Sequence, residues 1–166
     1  MENALLDNNL FDEDEICEPL IRWVTFQLGQ EIYGVVVNNV REILRINNIS
    51  PVPGAPDYII GITNIRGNVV SVIDGRRRIN LSPADYTDLS RMIVMESEDD
   101  IVAVVVDRVA DIIDLPESSI GSSPKLNKSD GSKYISGVIA NSDELIIILD
   151  SEKFISEEQY DVTSGF

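Results

Sequence analysis

The chain has 166 residues, with 13 Lys+Arg against 29 Asp+Glu and no histidine, so its formal charge is −16. A charge this negative is repelled by phosphate backbones and anionic lipid surfaces, and the missing histidine removes Ser-His-Asp and Cys-His catalysis together with His-based zinc sites. The single cysteine, Cys17, cannot form an intramolecular disulfide, which points to a reducing, cytoplasmic compartment.

Residues 1–20 hold seven acids and no base, the composition of a self-repelling, disordered leader. With no Lys or Arg and no apolar core, this stretch does not read as a signal peptide, and no apolar run in the chain approaches the ~18 residues needed to span a bilayer. Residues 157–166 add three acids and no base. The charge left for 21–156 is modest, and one folded domain is expected there.

Arg22–Leu28 alternates in polarity, Gly29-Gln30 marks a turn, and Ile32–Val37 continues as a second strand. Asn39 precedes Glu42 at capping-box spacing, and Val40, Ile43 and Leu44 recur at i, i+3, i+4, which predicts a short helix. Pro51, Pro53 and Pro56 restrain the following loop. Tyr58–Asn64 and Asn68–Ile73 form the next predicted hairpin across Ile65-Arg66-Gly67, Met92–Met95 pairs with Ile101–Val106 across an acidic turn, and Tyr134–Ile139 pairs with Leu145–Leu149. A last helix is predicted over 153–160.

The sequence is internally duplicated. Tyr33–Ile46 matches Val102–Leu115 without a gap. Tyr58-Ile-Ile-Gly61 followed by Val69–Asp74 matches Tyr134-Ile-Ser-Gly137 followed by Leu145–Asp150. Two copies of a small β-unit, each unable to bury its sheet faces alone, are expected to share one core. Residues common to both copies, such as Tyr58/Tyr134, Gly61/Gly137 and Asp74/Asp150, are most simply explained by the fold. The Asn64-Ile65-Arg66-Gly67 tip is present in one copy only, being replaced by Ala140-Asn141-Ser142-Asp143. Its amide, guanidinium and glycine suit protein recognition, although an ordinary exposed turn is the plainer reading.

Phe26-Gln-Leu-Gly-Gln-Glu-Ile-Tyr-Gly34, Val40-Arg-Glu-Ile43, Ile49-Ser-Pro-Val-Pro53, Ile60-Gly-Ile-Thr-Asn-Ile-Arg-Gly-Asn-Val69 and Val72-Ile-Asp74 occur in that order. Together they resemble the CheW family of chemotaxis coupling proteins, over essentially all of 22–155. The resemblance implies a mostly β fold of two intertwined, SH3-like five-stranded barrels, in agreement with the duplication. It also implies a cytoplasmic scaffold without catalysis or cofactor, recruited to membrane-associated receptor arrays. Such a scaffold links chemoreceptor tips to the regulatory domain of the histidine kinase CheA. By motif, the receptor-facing groove lies between the short helix and the hairpin tip, with Val40, Glu42, Ile43, Gly61, Asn64 and Arg66 in or beside it. Glu42 and Arg66 are expected to pair, whereas Val40 and Ile43 also suit simple core packing. The kinase-binding residues stay unassigned.

Gly75 and Arg76-Arg77-Arg78 depart from the family pattern. Gly75 is expected to loosen the end of its strand, and the arginine run reads as either a partner patch or a solvated edge. Asp107, Asp111 and Asp114 imitate a cation site at i, i+4, i+7, yet three carboxylates on one short helix rarely enclose an ion. The Ser118–Lys133 stretch lacks phosphate-cradle spacing, and Cys17 has no basic neighbour to activate it. Two alternatives to the coupling scaffold are the same module in another kinase array, such as one for twitching motility, and a small nucleic-acid-binding barrel. The charge and the lack of aromatic residues interleaved with basic ones count against the second.

Overall fold

A computed structural model describes residues 18–98, 100–121 and 133–156. The leader before Glu18, Cys17, the tail after Ser156 and most of the Ser118–Lys133 stretch lie outside these residues. Ten strands dominate: β1 (Leu20–Leu28), β2 (Glu31–Val36), β3 (Val40–Arg45), β4 (Ile59–Ile65), β5 (Asn68–Asp74), β6 (Arg91–Glu96), β7 (Ile101–Val106), β8 (Arg108–Pro116), β9 (Ile135–Asn141) and β10 (Glu144–Leu149). Two short helices, α1 (Gly75–Arg78) and α2 (Ser151–Ser156), each follow the last strand of one repeat. The first strand begins inside the expected leader, and Glu18 accepts hydrogen bonds from the Ser118 amide and hydroxyl.

The strands form two five-stranded sheets, ordered β8-β1-β2-β10-β9 and β3-β6-β7-β5-β4. Each sheet takes two strands from one repeat and three from the other, so the halves are intertwined, as the family resemblance implied, and share the core that the duplication led us to expect. The equivalence extends to register. Gly34 pairs with Ile148 across the parallel β2–β10 contact, and the corresponding Ala103 pairs with Val72 across β7–β5. Parallel neighbours cannot be joined by a tight turn; here both contacts join strands from different halves.

Three apolar clusters result. Ile65, Val70, Val72, Met92, Val94, Ala103 and Val105 form one cluster on the second sheet, and Trp23, Ile32, Ile139, Ile146 and Ile148 form one on the first. The largest lies between the sheets and draws on both, with Phe26, Val35, Ile73, Ile93, Val104 and Phe154 among its members. Burying each such side chain contributes about 1.5–3 kcal/mol.

The predicted short helix after Asn39 is instead strand β3, preceded by a single 3-10 turn at Val37–Asn39. The pairing of β3 with β6 shifts between Val40 and Glu42, which makes Arg41 a β-bulge. The extra residue puts Val40 and Ile43, three apart, on one face against the shared core, while Leu44 turns to the other cluster. A bulged strand thus imitates helical spacing. The same shift recurs opposite β8, where Thr25 pairs with Asp111 and Phe26 with Val109, skipping Ala110 at the position equivalent to Arg41. Asn39 does not cap a helix; its side-chain amide donates to the Glu96 carbonyl and to Glu152 Oε2.

Gly75 does not loosen a strand end; it opens α1, where a Cβ would stand 2.7 Å from the Val105 carbonyl oxygen. The Asp74 carboxylate caps that helix by accepting from the Arg76 amide, and Asp150 accepts equivalently from the Lys153 amide at α2. The arginines of the run make contacts within the fold. Arg76 makes a two-bond pair with Asp107 at 2.9 and 2.7 Å, and Arg77 approaches Asp74 at 3.4 Å. Arg78 is only 4% exposed. Its guanidinium lies 4.4 Å from the Tyr58 ring centroid and 5.0 Å from that of Tyr134, and donates to the Phe154 carbonyl at 3.1 Å. The two repeat-related tyrosines therefore share one cation where the halves meet.

Candidate functional site

The β4–β5 connection turns through Arg66 and Gly67, both at positive φ (53° and 86°). A two-residue turn of this kind matches the twist of the flanking strands, and the Asn64 side-chain oxygen holds it by accepting from the Gly67 amide at 3.0 Å. In the second copy Ser142 takes the Arg66 position at φ 58°. The backbone device is shared; the guanidinium belongs to one copy.

Arg66 reaches from the tip of the β4–β5 hairpin to Glu42 on β3, at the opposite edge of the same sheet. Nε donates to one carboxylate oxygen at 3.0 Å and Nη2 to the other at 2.8 Å, a planar two-bond pair. The Arg66 side chain remains 71% exposed, whereas that of Glu42 is 19% exposed, so the arginine covers its partner and presents its own outer edge to solvent. Hydrogen bonding to Arg66 holds the Glu42 carboxyl below the usual carboxylate range, and the same bonds raise Arg66. Beside this pair, Arg41 approaches Glu96 at 3.4 Å, and Val69 on β5 is 63% exposed.

The six residues named from the sequence divide into three groups. Glu42, Asn64 and Arg66 form the exposed tip and its anchor. Val40 and Ile43 lie on the other face of β3, half-buried against the shared core. Gly61 is buried on β4, under the chain that leaves β3: a Cβ there would run into the Ser50 carbonyl, and Ser50 and Ile62 exchange backbone hydrogen bonds of 2.8 Å across it. Gly137 stands in the same relation to Gly121: a Cβ there would lie 2.6 Å from the Gly121 carbonyl oxygen. Gly61 is therefore needed by the fold.

The three aspartates do not make a cation site. Asp107 pairs with Arg76 and accepts from the Gly29 amide, and Asp114 pairs with Arg22, while Asp111 caps the Ile112 amide. They lie along an extended segment rather than a helix, and among the described residues no group of His, Cys, Asp or Glu is arranged to hold a metal. An open concavity of about 710 Å³ lies elsewhere, between residues 55–60 and 83–86, with Asp57, Asp74, Asp85 and Arg77 in its lining. Sequence reasoning missed Arg41, whose bulge hid its place on an edge strand, and Arg78, whose aromatic partners come from both repeats.

Residues 22–159 match the family model described as CheW-like domain. The chain is 31% identical over 140 residues to the chemotaxis protein CheW of Treponema pallidum (strain Nichols), covering 82% of each. It is also 31% identical over 137 residues to that of Bacillus subtilis (strain 168), covering 82% of this chain and 88% of the relative. Protein FrzA of Myxococcus xanthus is 29% identical over 132 residues, covering 78% of this chain and 82% of the relative. Among solved structures, the scaffolding protein TtCheW from Thermoanaerobacter tengcongensis superposes with a TM-score of 0.72 at 30% identity, covering 78% of this chain and 88% of that one.

Proposed function

The chain belongs to the CheW family of chemotaxis scaffold proteins, and from that premise we propose that it couples the cytoplasmic tips of chemoreceptors to the regulatory domain of a CheA-type histidine kinase. Its work is binding rather than catalysis, carried out in the cytoplasm at membrane-associated receptor arrays. Among the described residues no helix is long and apolar enough to cross a membrane. The receptor meets the edge strand β3 and the β4–β5 tip, where Arg66, Glu42 and Asn64 on one face present directional polar groups and the part of Val40 and Ile43 left uncovered on the other face supplies apolar surface. The kinase uses a separate surface, so that two weak contacts gain strength from the multivalency of the array.

The observation that carries this reading is the Arg66–Glu42 pair. A duplicated fold builds the same turn twice, but only one copy carries the guanidinium, so the fold does not require it. Exposed ion pairs add little to stability and more to partner choice. The test is a pull-down with purified receptor-tip and kinase regulatory fragments. Arg66→Ala is expected to remain folded, lose receptor binding and keep kinase binding; undiminished receptor binding by the folded variant overturns the assignment. The similarity to FrzA favours one second reading, the same module in an array with a different output. Co-purification from the native cell, followed by identification of the kinase and receptor recovered, separates the two.

A further inference from the structure

Arg45 ends β3 and stands directly opposite Arg91 at the start of β6, the last pair of that antiparallel ladder. Like charges in this position are destabilising, because facing side chains lie within about 5 Å at their Cβ atoms. The acids of this chain outnumber its bases by 29 to 13, and Arg22, Arg41, Arg66, Arg76 and Arg77 all have a carboxylate partner. Neither Arg45 nor Arg91 has a carboxylate partner among the described residues; Arg91 donates only to the carbonyls of Asp88 and Ser90. In so acidic a protein, two facing guanidiniums without an acid between them are an arrangement that folding does not need.

Their position gives the pair a use. Beyond the Arg41 bulge the side chains of β3 alternate, so Arg45 shares a face with Ile43 and Val40, and Arg91 shares one with Ile93. This face packs on the shared core along most of its length and ends at Arg45, which is exposed at the edge strand of its sheet, with Arg91 half-buried beside it.

We propose that Arg45 and Arg91 form a basic rim that receives carboxylates of the receptor tip, extending the β3 contact and setting which acidic receptor segment it accepts. This rests on the receptor reading of β3. The occupant is an acidic protein segment because paired guanidiniums bind carboxylates in planar two-bond geometry, and because the receptor meets the same face. Arg45 then stands open in the free scaffold and becomes neutralised only in the complex, which makes the contact sensitive to salt.

The test uses the full chain with three variants, Arg45→Glu, the double variant Arg45→Ala/Arg91→Ala, and Arg66→Ala, and measures binding of a soluble receptor-tip fragment and of the kinase regulatory fragment at low and high salt. Both rim variants are expected to lose receptor affinity by about tenfold at low salt, with the difference shrinking at high salt, and to bind the kinase normally. Arg45→Glu should also melt at a higher temperature than the natural chain, since it replaces repulsion of Arg91 with attraction; weaker binding by a more stable variant excludes misfolding as the cause. Receptor binding that is unchanged in both rim variants but lost in Arg66→Ala overturns the rim and leaves the receptor reading intact. No receptor binding by the natural chain overturns both. If removal of residues 1–17 raises receptor affinity in the natural chain but not in the double variant, the acidic leader is the occupant and the assignment to the receptor is overturned.

Discussion

Arg66 and Arg78 show two opposite uses of a guanidinium. Arg66 is solvent-exposed and paired once, so its removal should shift the melting temperature by no more than about 2 °C while abolishing the receptor contact. Its partner sets a pH window. Because the folded-state Glu42 carboxyl is held below its ordinary value by the Arg66 bonds, the pair is intact at and above the ordinary carboxylate range and fails as pH falls through the lowered value. Receptor binding measured against pH should fall on that acid side, and Glu42→Gln should lower affinity while flattening this part of the profile. Arg78 is the reverse case, buried between Tyr58 and Tyr134 and hydrogen-bonded to Phe154. Arg78→Lys keeps the charge but loses the flat stacking surface and the fork of donors, at an expected cost of about 1–3 kcal/mol in denaturant melts. Arg78→Ala should cost about 3–5 kcal/mol, since it leaves the aromatic ring system without its filling.

At the scale of elements, the contact between β4 and the segment leaving β3 depends on Gly61. Gly61→Ala drives a methyl group into the Ser50 backbone and is expected to cost about 1–3 kcal/mol, with faster amide exchange at Ser50 and Ile62, whose mutual bonds it separates. Gly137→Ala should act similarly through Gly121 and Val138 in the other sheet. If Gly61→Ala weakens receptor binding and Gly137→Ala does not, the loss comes from displacement of the β3–β4 edge rather than from global unfolding. The same elements show what the residues made readable. Hairpins were legible because Gly29 and Arg66-Gly67 mark turns between alternating runs, and the shared core followed from the duplication, whereas the intertwining of the two halves was readable only through the family resemblance. Strand β3 was not legible, because the bulge at Arg41 spaces Val40 and Ile43 like a helix face. The roles of Arg76 and Arg78 were hidden for another reason: Asp107 lies 31 residues from Arg76, and Phe154 lies 76 residues from Arg78. Of the candidate site, the Arg66–Glu42 pair was readable through the resemblance, whereas the burial of Gly61 and the division of β3 into two faces required the sheet register.

Intertwining makes a claim about the molecule as a whole. Strands β1 and β2 belong to the first repeat but lie between β8 and β10 of the second, and β6 and β7 belong to the second but lie between β3 and β5 of the first. The largest apolar cluster draws residues from both halves, and Arg78 is shared between them. Neither half can therefore retain its own sheet when the other is removed, despite having the strands of a complete repeat. A fragment of residues 1–90 is expected to lack a cooperative melting transition, and a fragment of 91–166 likewise, because each would expose the strand edges and the apolar face that its partner covers. Mixed in equal amounts, the two should associate and regain the β-sheet circular dichroism of the intact chain, with a midpoint that rises with concentration. The intact chain, having one shared core, should unfold in a single transition with coincident near- and far-ultraviolet signals. Independent folding of either fragment, or two resolved transitions in the intact chain, would show that the repeats are autonomous units. The duplication would then govern sequence and topology without governing stability, and a partner bound to one sheet could not influence the other through the core they share.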